Sequence, residues 1–205
     1  MAEKYRTVLL FGAPGAGKGT QGKMLGNIPG FHHFSTGDMF RNLDPHSDLG
    51  RTFIEYSTRG NLVPDDLTVQ LWKRSVEAQH TLGFYHPHTD LLVLDGIPRS
   101  IRQTELMDEH IRVLDIILLE AADPQQMLTR LRARALKEGR PDDAKENVIR
   151  RRLEVFANET EPVLAHYPDA EIHRIDAIGS PARVLERILD VLAPVQEENF
   201  PNALG

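Results

Sequence analysis

The chain has 205 residues, of which 40% are apolar and 26% charged, which fits one soluble domain with a real core. It has no cysteine, so disulfides and cysteine-based zinc sites are excluded. The formal net charge of −6 argues against a protein that coats nucleic acid, although basic residues cluster in mid-chain. No apolar stretch is long enough to span a bilayer, and the opening MAEKYRT has no signal-peptide pattern, so a cytoplasmic protein with no membrane partner is expected.

Five short apolar runs bounded by turn signals read as strands: Thr7–Gly12, Phe31–Phe34, Leu91–Leu94, Val113–Leu119 and Ala170–Ile175. Segments with helical periodicity separate them. That alternation predicts an α/β fold with a parallel sheet covered on both faces. Two stretches interrupt it. Gly37 to Gln79 reads as three helices without a strand, an inserted flap. Arg134 to Asp143 (RALKEGRPDD) reads as a polar loop between two helices. Both inserts are expected beyond the carboxyl ends of the strands, where ligands bind in such sheets. After the second, Ile149, Leu153, Phe156, Thr160, Val163 and Tyr167 form a stripe expected to face the core, with Pro162 kinking or breaking the helix. From Pro194 the chain (PVQEENFPNALG) is expected to be loosely ordered.

The chemistry concentrates in three places. Gly12 to Thr20 read GAPGAGKGT directly after the first strand, with a helix expected from Lys18. Such a loop aims backbone N–H groups and a helix dipole at phosphate, with Lys18 as a point charge. The alternative is a glycine-rich turn without a ligand, which leaves the order strand, glycines, lysine, helix unexplained. The general pattern places Ser or Thr after the lysine as a Mg²⁺ ligand, whereas here Gly19 stands there and Thr20 follows. Asp95 ends the third apolar run. A carboxylate there suits a metal-associated aspartate acting through water, and its alternative is a cap for the next helix. Arg41, Arg99, Arg130, Arg134, Arg140 and the run Arg150-Arg151-Arg152 lie beside turns at the expected ligand edge. Any one reads as a surface residue, but together they favour a polyphosphate site. The nine histidines are scattered: His86-Pro87-His88 reads as a loop and His32-His33 as strand-associated. No serine-histidine-aspartate set or helical HExxH is evident, and no zinc is expected.

On six ordered motifs the chain resembles the adenylate kinases, within the nucleoside monophosphate kinase family. They are GAPGAGKGT, STGDMFR (35–41), GNLVPDD (60–66), DGIPRS with Gln103 (95–103), GRPDD (139–143) and RRRLEVF (150–156). The resemblance covers residues 7 to about 192. It implies a single kinase domain whose core sheet has strand order 2-3-1-4-5. A monophosphate-binding insert over about 35–65 and a short lid over about 134–143 complete it, with the core at 1–34, 66–133 and 144–193. The implied reaction is ATP + AMP ⇌ 2 ADP with Mg²⁺, in a monomer with no nucleic-acid partner.

The resemblance also implies the site. Gly15, Ala16, Gly17, Lys18, Gly19 and Thr20 would wrap the ATP phosphates. Arg130 would lie against the ATP adenine, and Gly179 would meet that base through its backbone. Thr36, Arg41, Asn61, Leu62, Val63, Gly96, Ile97, Pro98, Arg99 and Gln103 would hold AMP. Arg134, Arg140 and Arg152 would close over the transferring group, Arg140 and Arg152 also reaching AMP. With Lys18 and Arg99 they form the catalytic set, and Asp95 would serve Mg²⁺. Thr36 and Gln103 favour AMP over UMP or CMP. A UMP/CMP kinase and a non-catalytic nucleotide-binding module are the competing readings. Three departures stand out. Ile97 and Ser100 replace the family's usual Phe and Thr, and His80 to Asp90 is unusually long. One extra residue separates Arg140 from Arg152, so Arg151 competes with Arg152 for its place.

Overall fold

Five parallel strands form one sheet in the order β2-β3-β1-β4-β5. They are β1 (Tyr5–Gly12), β2 (Phe31–Ser35), β3 (Leu91–Asp95), β4 (Ile111–Glu120) and β5 (Ile172–Asp176). The computed structural model describes residues 3–121, 124–138 and 145–200. The helices are α1 (Lys18–Leu25), α2 (Thr36–Arg41), α3 (Asp48–Ser57), α4 (Asp65–Thr81), α5 (Ile101–Met107), α6 (Pro124–Glu138), α7 (Glu146–Val155) and α8 (Pro181–Asn199). Among the described residues no helix is long and apolar enough to cross a membrane.

The near-continuous apolar character of the central strands follows from burial on both faces. Successive side chains point to opposite sides. Leu9, Phe11, Leu92, Leu94, Ile116 and Leu118 therefore enter one core layer with Trp72 and Val76 of α4 and Met107 of α5. Val8, Leu10, Leu91, Val93, Ile117 and Leu119 enter the other, with Leu25 of α1 and Val184, Ile188 and Leu192 of α8. β1 sits between β3 and β4, so the glycine-rich loop that follows it emerges at the middle of the sheet edge.

The structure departs from the expected elements at several places. β4 begins two residues earlier than expected and β5 two later. Ala170 lies in a short 3₁₀ turn (Asp169–Glu171). The stripe after the second insert is not wholly core. The chain leaves α7 through a π turn (Phe156–Thr160) and a 3₁₀ segment (Glu161–His166), and Phe156 and Thr160 line the central cleft. Pro162 has no N–H for the α-helical ladder, so the helix changes character beside it. The chain does not loosen at Pro194: α8 continues through that proline to Asn199, and Phe200 is buried. Arg6 fixes that end, its guanidinium 4.1 Å from the Phe200 ring centroid and donating to the Asn199 carbonyl at 2.6 Å. Residues 201–205 lie outside the described residues.

The long stretch from His80 to Asp90 closes the far end of the core. Gly83 turns the chain with φ +74° and sends Tyr85 inward, where it is fully buried against the rings of Tyr5 and His32. Asp90 accepts from the backbone N–H of His86 at 2.8 Å, bracing the loop that contains His86-Pro87-His88. His32 and His33 both lie in β2, as their place before Phe34 suggested.

Candidate active site

The carboxyl ends of β1, β2 and β3 open into one cleft of about 580 Å³, walled by the first insert and by Arg134, which lies on α6 rather than in the loop expected to start there; residues 139–143 of that expected loop lie outside the described residues. At its floor Gly17 takes the left-handed conformation (φ +103°) and starts α1 without a side-chain cap. The first turn of α1 contains no acidic residue, so its N–H groups and dipole face the cleft unopposed by a local carboxylate. Lys18, the first residue of α1, folds back over the loop. Its ammonium donates to the Gly12 carbonyl at 2.5 Å and the Ala13 carbonyl at 3.3 Å. Burial pushes its pKa down to about 8, with Asp95 opposing that shift and Arg99, Arg152 and Arg134 adding to it.

Asp95 ends β3 and is nearly inaccessible. Burial works against its charge, yet His33, Lys18 and Arg99 together hold its pKa below the ordinary value. His33 Nε2 lies 3.9 Å from the Asp95 carboxylate. A side chain at Gly19 would begin 3.6 Å from the same carboxylate. Asp95 thus lies beside the position that follows Lys18. Among the described residues no three of His, Asp or Glu gather into a self-sufficient metal site.

Lys18, Lys23, Arg41, Arg99, Arg130, Arg134 and Arg152 all line the cleft, and among the described residues the acids on its wall are Asp38 and Asp95. A protein of net charge −6 therefore concentrates cations in one cavity, as a polyphosphate site requires. Arg99 is half-buried, and desolvation and then Arg152 lower its pKa to about 10, so it stays charged at neutral pH. Its Nε donates to the Gly96 carbonyl at 2.8 Å, and its own carbonyl accepts from the Thr160 hydroxyl at 3.0 Å. Gly96 is needed here: φ is +86°, and a Cβ would lie 2.7 Å from both Thr36 Oγ1 and the Arg99 guanidinium.

One end of the cleft carries Arg130, whose guanidinium donates twice to the Ala177 carbonyl at 3.3 Å, close to Gly179. Gln21 ties α1 to this loop by donating to the Pro181 carbonyl at 3.0 Å. The other end is formed by α2, α3 and the segment before α4. Ser35 caps α2, its hydroxyl accepting from the Asp38 N–H at 3.2 Å. Thr36 donates to the Gly96 carbonyl at 2.8 Å. Asn61, Leu62, Val63, Pro98 and Gln103 complete the wall. Arg41 donates to Asp38 at 2.6 Å and faces the same space.

The cleft brings together Gly15, Ala16, Gly17, Lys18, Gly19, Thr20, Thr36, Arg41, Asn61, Leu62, Val63, Asp95, Gly96, Pro98, Arg99, Gln103, Arg130, Arg134, Arg152 and Gly179. It does not include Ile97. That side chain is 2% exposed and packs in the core with Trp72 and Met107. Arg140 lies outside the described residues. Arg152 lines the cleft, whereas Arg151 does not: it donates to Oδ1 of Asn61 on the cleft wall at 3.0 Å and pairs with Glu154 at 3.5 Å. Sequence reasoning missed Phe40 and Phe53, which stack with ring centroids 5.2 Å apart on the cleft wall, and also Phe156 and Thr160. Apolar residues in an amphipathic flap carry no signal that separates a ligand wall from a core.

Comparison with known proteins shows the family. Residues 10–172 match the family model described as adenylate kinase. An adenylate kinase of Kocuria rhizophila is 39% identical over 191 residues, covering 90% of this chain and 97% of that protein. An adenylate kinase of Nocardia farcinica is 38% identical over 191 residues, covering 90% and 98%. One from Thermus thermophilus is 35% identical over 190 residues, covering 89% and 95%.

Proposed function

The chain belongs to the adenylate kinase family and is a nucleotide phosphotransferase, and we propose that it catalyses the reversible, Mg²⁺-dependent transfer of a phosphoryl group from ATP to AMP, giving two ADP. The observation that carries this reading is the continuity of the cleft. The phosphate loop and the Arg130–Gly179 end share one cavity with the Thr36–Gln103 end, and Arg99, Arg134 and Arg152 line it with them. That is a place for two nucleotides head to head, with cations at their meeting point.

The residues suit this chemistry. The acceptor is a phosphate oxygen of AMP, largely ionised near neutrality because its second pKa is about 6. No general base is needed. The task is in-line positioning and neutralisation of developing charge. Lys18 and the N–H groups of Gly15 to Thr20 would hold the donor phosphates. Arg41 and Arg99 would hold the acceptor phosphate, and Arg134 and Arg152 would neutralise the transferring group. Arg140 is proposed to join them from the lid. Thr36 and Gln103 would face the acceptor base, and Arg130 and the backbone at Gly179 the donor base. The inserts would exclude water, which would otherwise take the phosphoryl group.

Mg²⁺ fits this donor set as a hydrated ion shared with the nucleotide. Asp95 is buried and held ionised, and it would hold the ion through water. When bound, Mg²⁺ supplies charge neutralisation at the β- and γ-phosphates. The test is direct. Purified protein given MgATP and AMP should form ADP, ADP alone should yield ATP, and excess EDTA should stop both. Absence of turnover in both directions, or a kcat/KM favouring UMP or CMP over AMP, would overturn the proposal.

A further inference from the structure

Gln103 is 2% exposed, lines the cleft, and has both ends of its amide engaged. Its Oε1 accepts from the backbone N–H of Arg99 at 2.7 Å, and its Nε2 donates to Asp65 Oδ1 at 2.8 Å. These two partners set the sense of the amide. Reversal would put the Gln103 NH₂ against the Arg99 N–H, two donors face to face. It would also put Oε1 against the Asp65 carboxylate, two acceptors face to face. Neither clash is tolerable in a buried position.

Resting on the acceptor-site reading above, we propose that Asp65 is a positioning residue for base selection: by holding Nε2 it makes Gln103 read an adenine-type base and reject a 6-keto purine. The locked amide has one N–H and one Oε1 lone pair still to offer. That pair matches a base edge with an acceptor beside an amino donor, as adenine has, whereas a 6-keto purine presents the reverse order. Asp65 does not line the cleft and acts through Gln103. It sits in the first turn of α4, where a carboxylate also suits the helix dipole. The dipole role alone would affect folding stability and leave base choice untouched. Asp66, its neighbour, reaches Arg102 of α5 at 3.4 Å, so the α4 terminus is held against α5 from a second point.

The experiment compares kcat/KM for AMP and for inosine monophosphate at saturating ATP, in the full chain and in Asp65→Ala and Asp65→Asn. In Asp65→Ala the AMP-to-inosine-monophosphate ratio should fall by about tenfold, the worth of one hydrogen bond to a charged partner. KM for ATP should be unchanged. Asp65→Asn keeps an acceptor oxygen and should retain most of the ratio. A parallel fall for both substrates in both variants, or an unmoved ratio, overturns the inference. If the wild-type chain does not use AMP, the functional reading fails first and this inference falls with it. If the wild type prefers AMP and the ratio stays fixed, the inference alone fails.

Discussion

The Thr160 hydroxyl donates to the Arg99 carbonyl at 3.0 Å and ties the π turn after α7 to the loop after β3. It completes a set of restraints on Arg99, whose N–H donates to Gln103 and whose Nε donates to Gly96. An arginine expected to meet phosphate is thereby held before substrate arrives. Thr160→Val should remove this restraint and leave the Arg99 carbonyl underpaired, costing about 1 kcal/mol in urea unfolding and several-fold in kcat. Thr160→Ser should restore both. A kcat unchanged in Thr160→Val would show that Arg99 keeps its place without this bond.

The two neighbouring arginines separate cleanly. Arg152 shares the cleft with Arg99 and Lys18, and its charge is felt by both. Arg151 turns to Asn61 and Glu154. Arg152→Ala should lower kcat by about 10²- to 10³-fold, the scale for losing one donor to a developing charge. Arg151→Ala should leave kcat nearly intact. Steady-state ADP formation for the pair decides it, and a larger loss in Arg151→Ala would invert the assignment.

Much of this was legible in the chain because it is local. Glycines before Lys18 and apolar runs at strand length are read within a few residues of one another, and the strands and the start of α1 fall close to where they were expected. What depends on distant partners was not legible. A helix through Pro194 is disfavoured locally and becomes tenable because Leu192 lies in the core and Phe200 is buried beyond it. Arg151 and Arg152 are the same residue type one position apart on α7, so only the direction of each from the helix axis separates them. Ile97 sits inside a phosphate-adjacent motif, yet its side chain belongs to the core.

Lys18 gives a pH dependence of defined sign. Burial lowers its pKa from 10.5 to about 8. As pH rises the folded protein releases this proton before the unfolded chain does. Between those two values the unfolded chain holds more protons, so this residue makes stability rise with pH. Below the folded value both forms are protonated and the full cost of the buried charge remains. Substrate binding has the opposite sign, because the phosphates need the ammonium. The difference in unfolding free energy between wild type and Lys18→Met should therefore climb from pH about 8 to about 10.5. Wild-type kcat/KM for ATP should decline over the same range. Urea unfolding and initial rates across that range test both, and a flat stability difference would refute the buried-charge argument.

Phe200 anchors the last helix from outside it. The ring is 4% exposed in the layer that contains Leu25 and Leu192, and the Arg6 guanidinium covers it. Gln196 adds a bond to the Pro29 carbonyl at 3.1 Å, so the end of α8 reaches the turn before β2. Burial of an aromatic ring there offsets the hydrogen bond that Pro194 cannot make within α8. Phe200→Ala should cost about 3 kcal/mol in urea unfolding, the low end for removing a buried phenyl ring because the site lies at a helix end. Phe200→Leu should cost much less, since most of the buried apolar area survives. At temperatures where the variant remains folded, ADP formation should be unaffected, because Phe200 lies outside the cleft. A loss below about 0.5 kcal/mol in Phe200→Ala, the range of ordinary surface substitutions, would place this end outside the cooperative core.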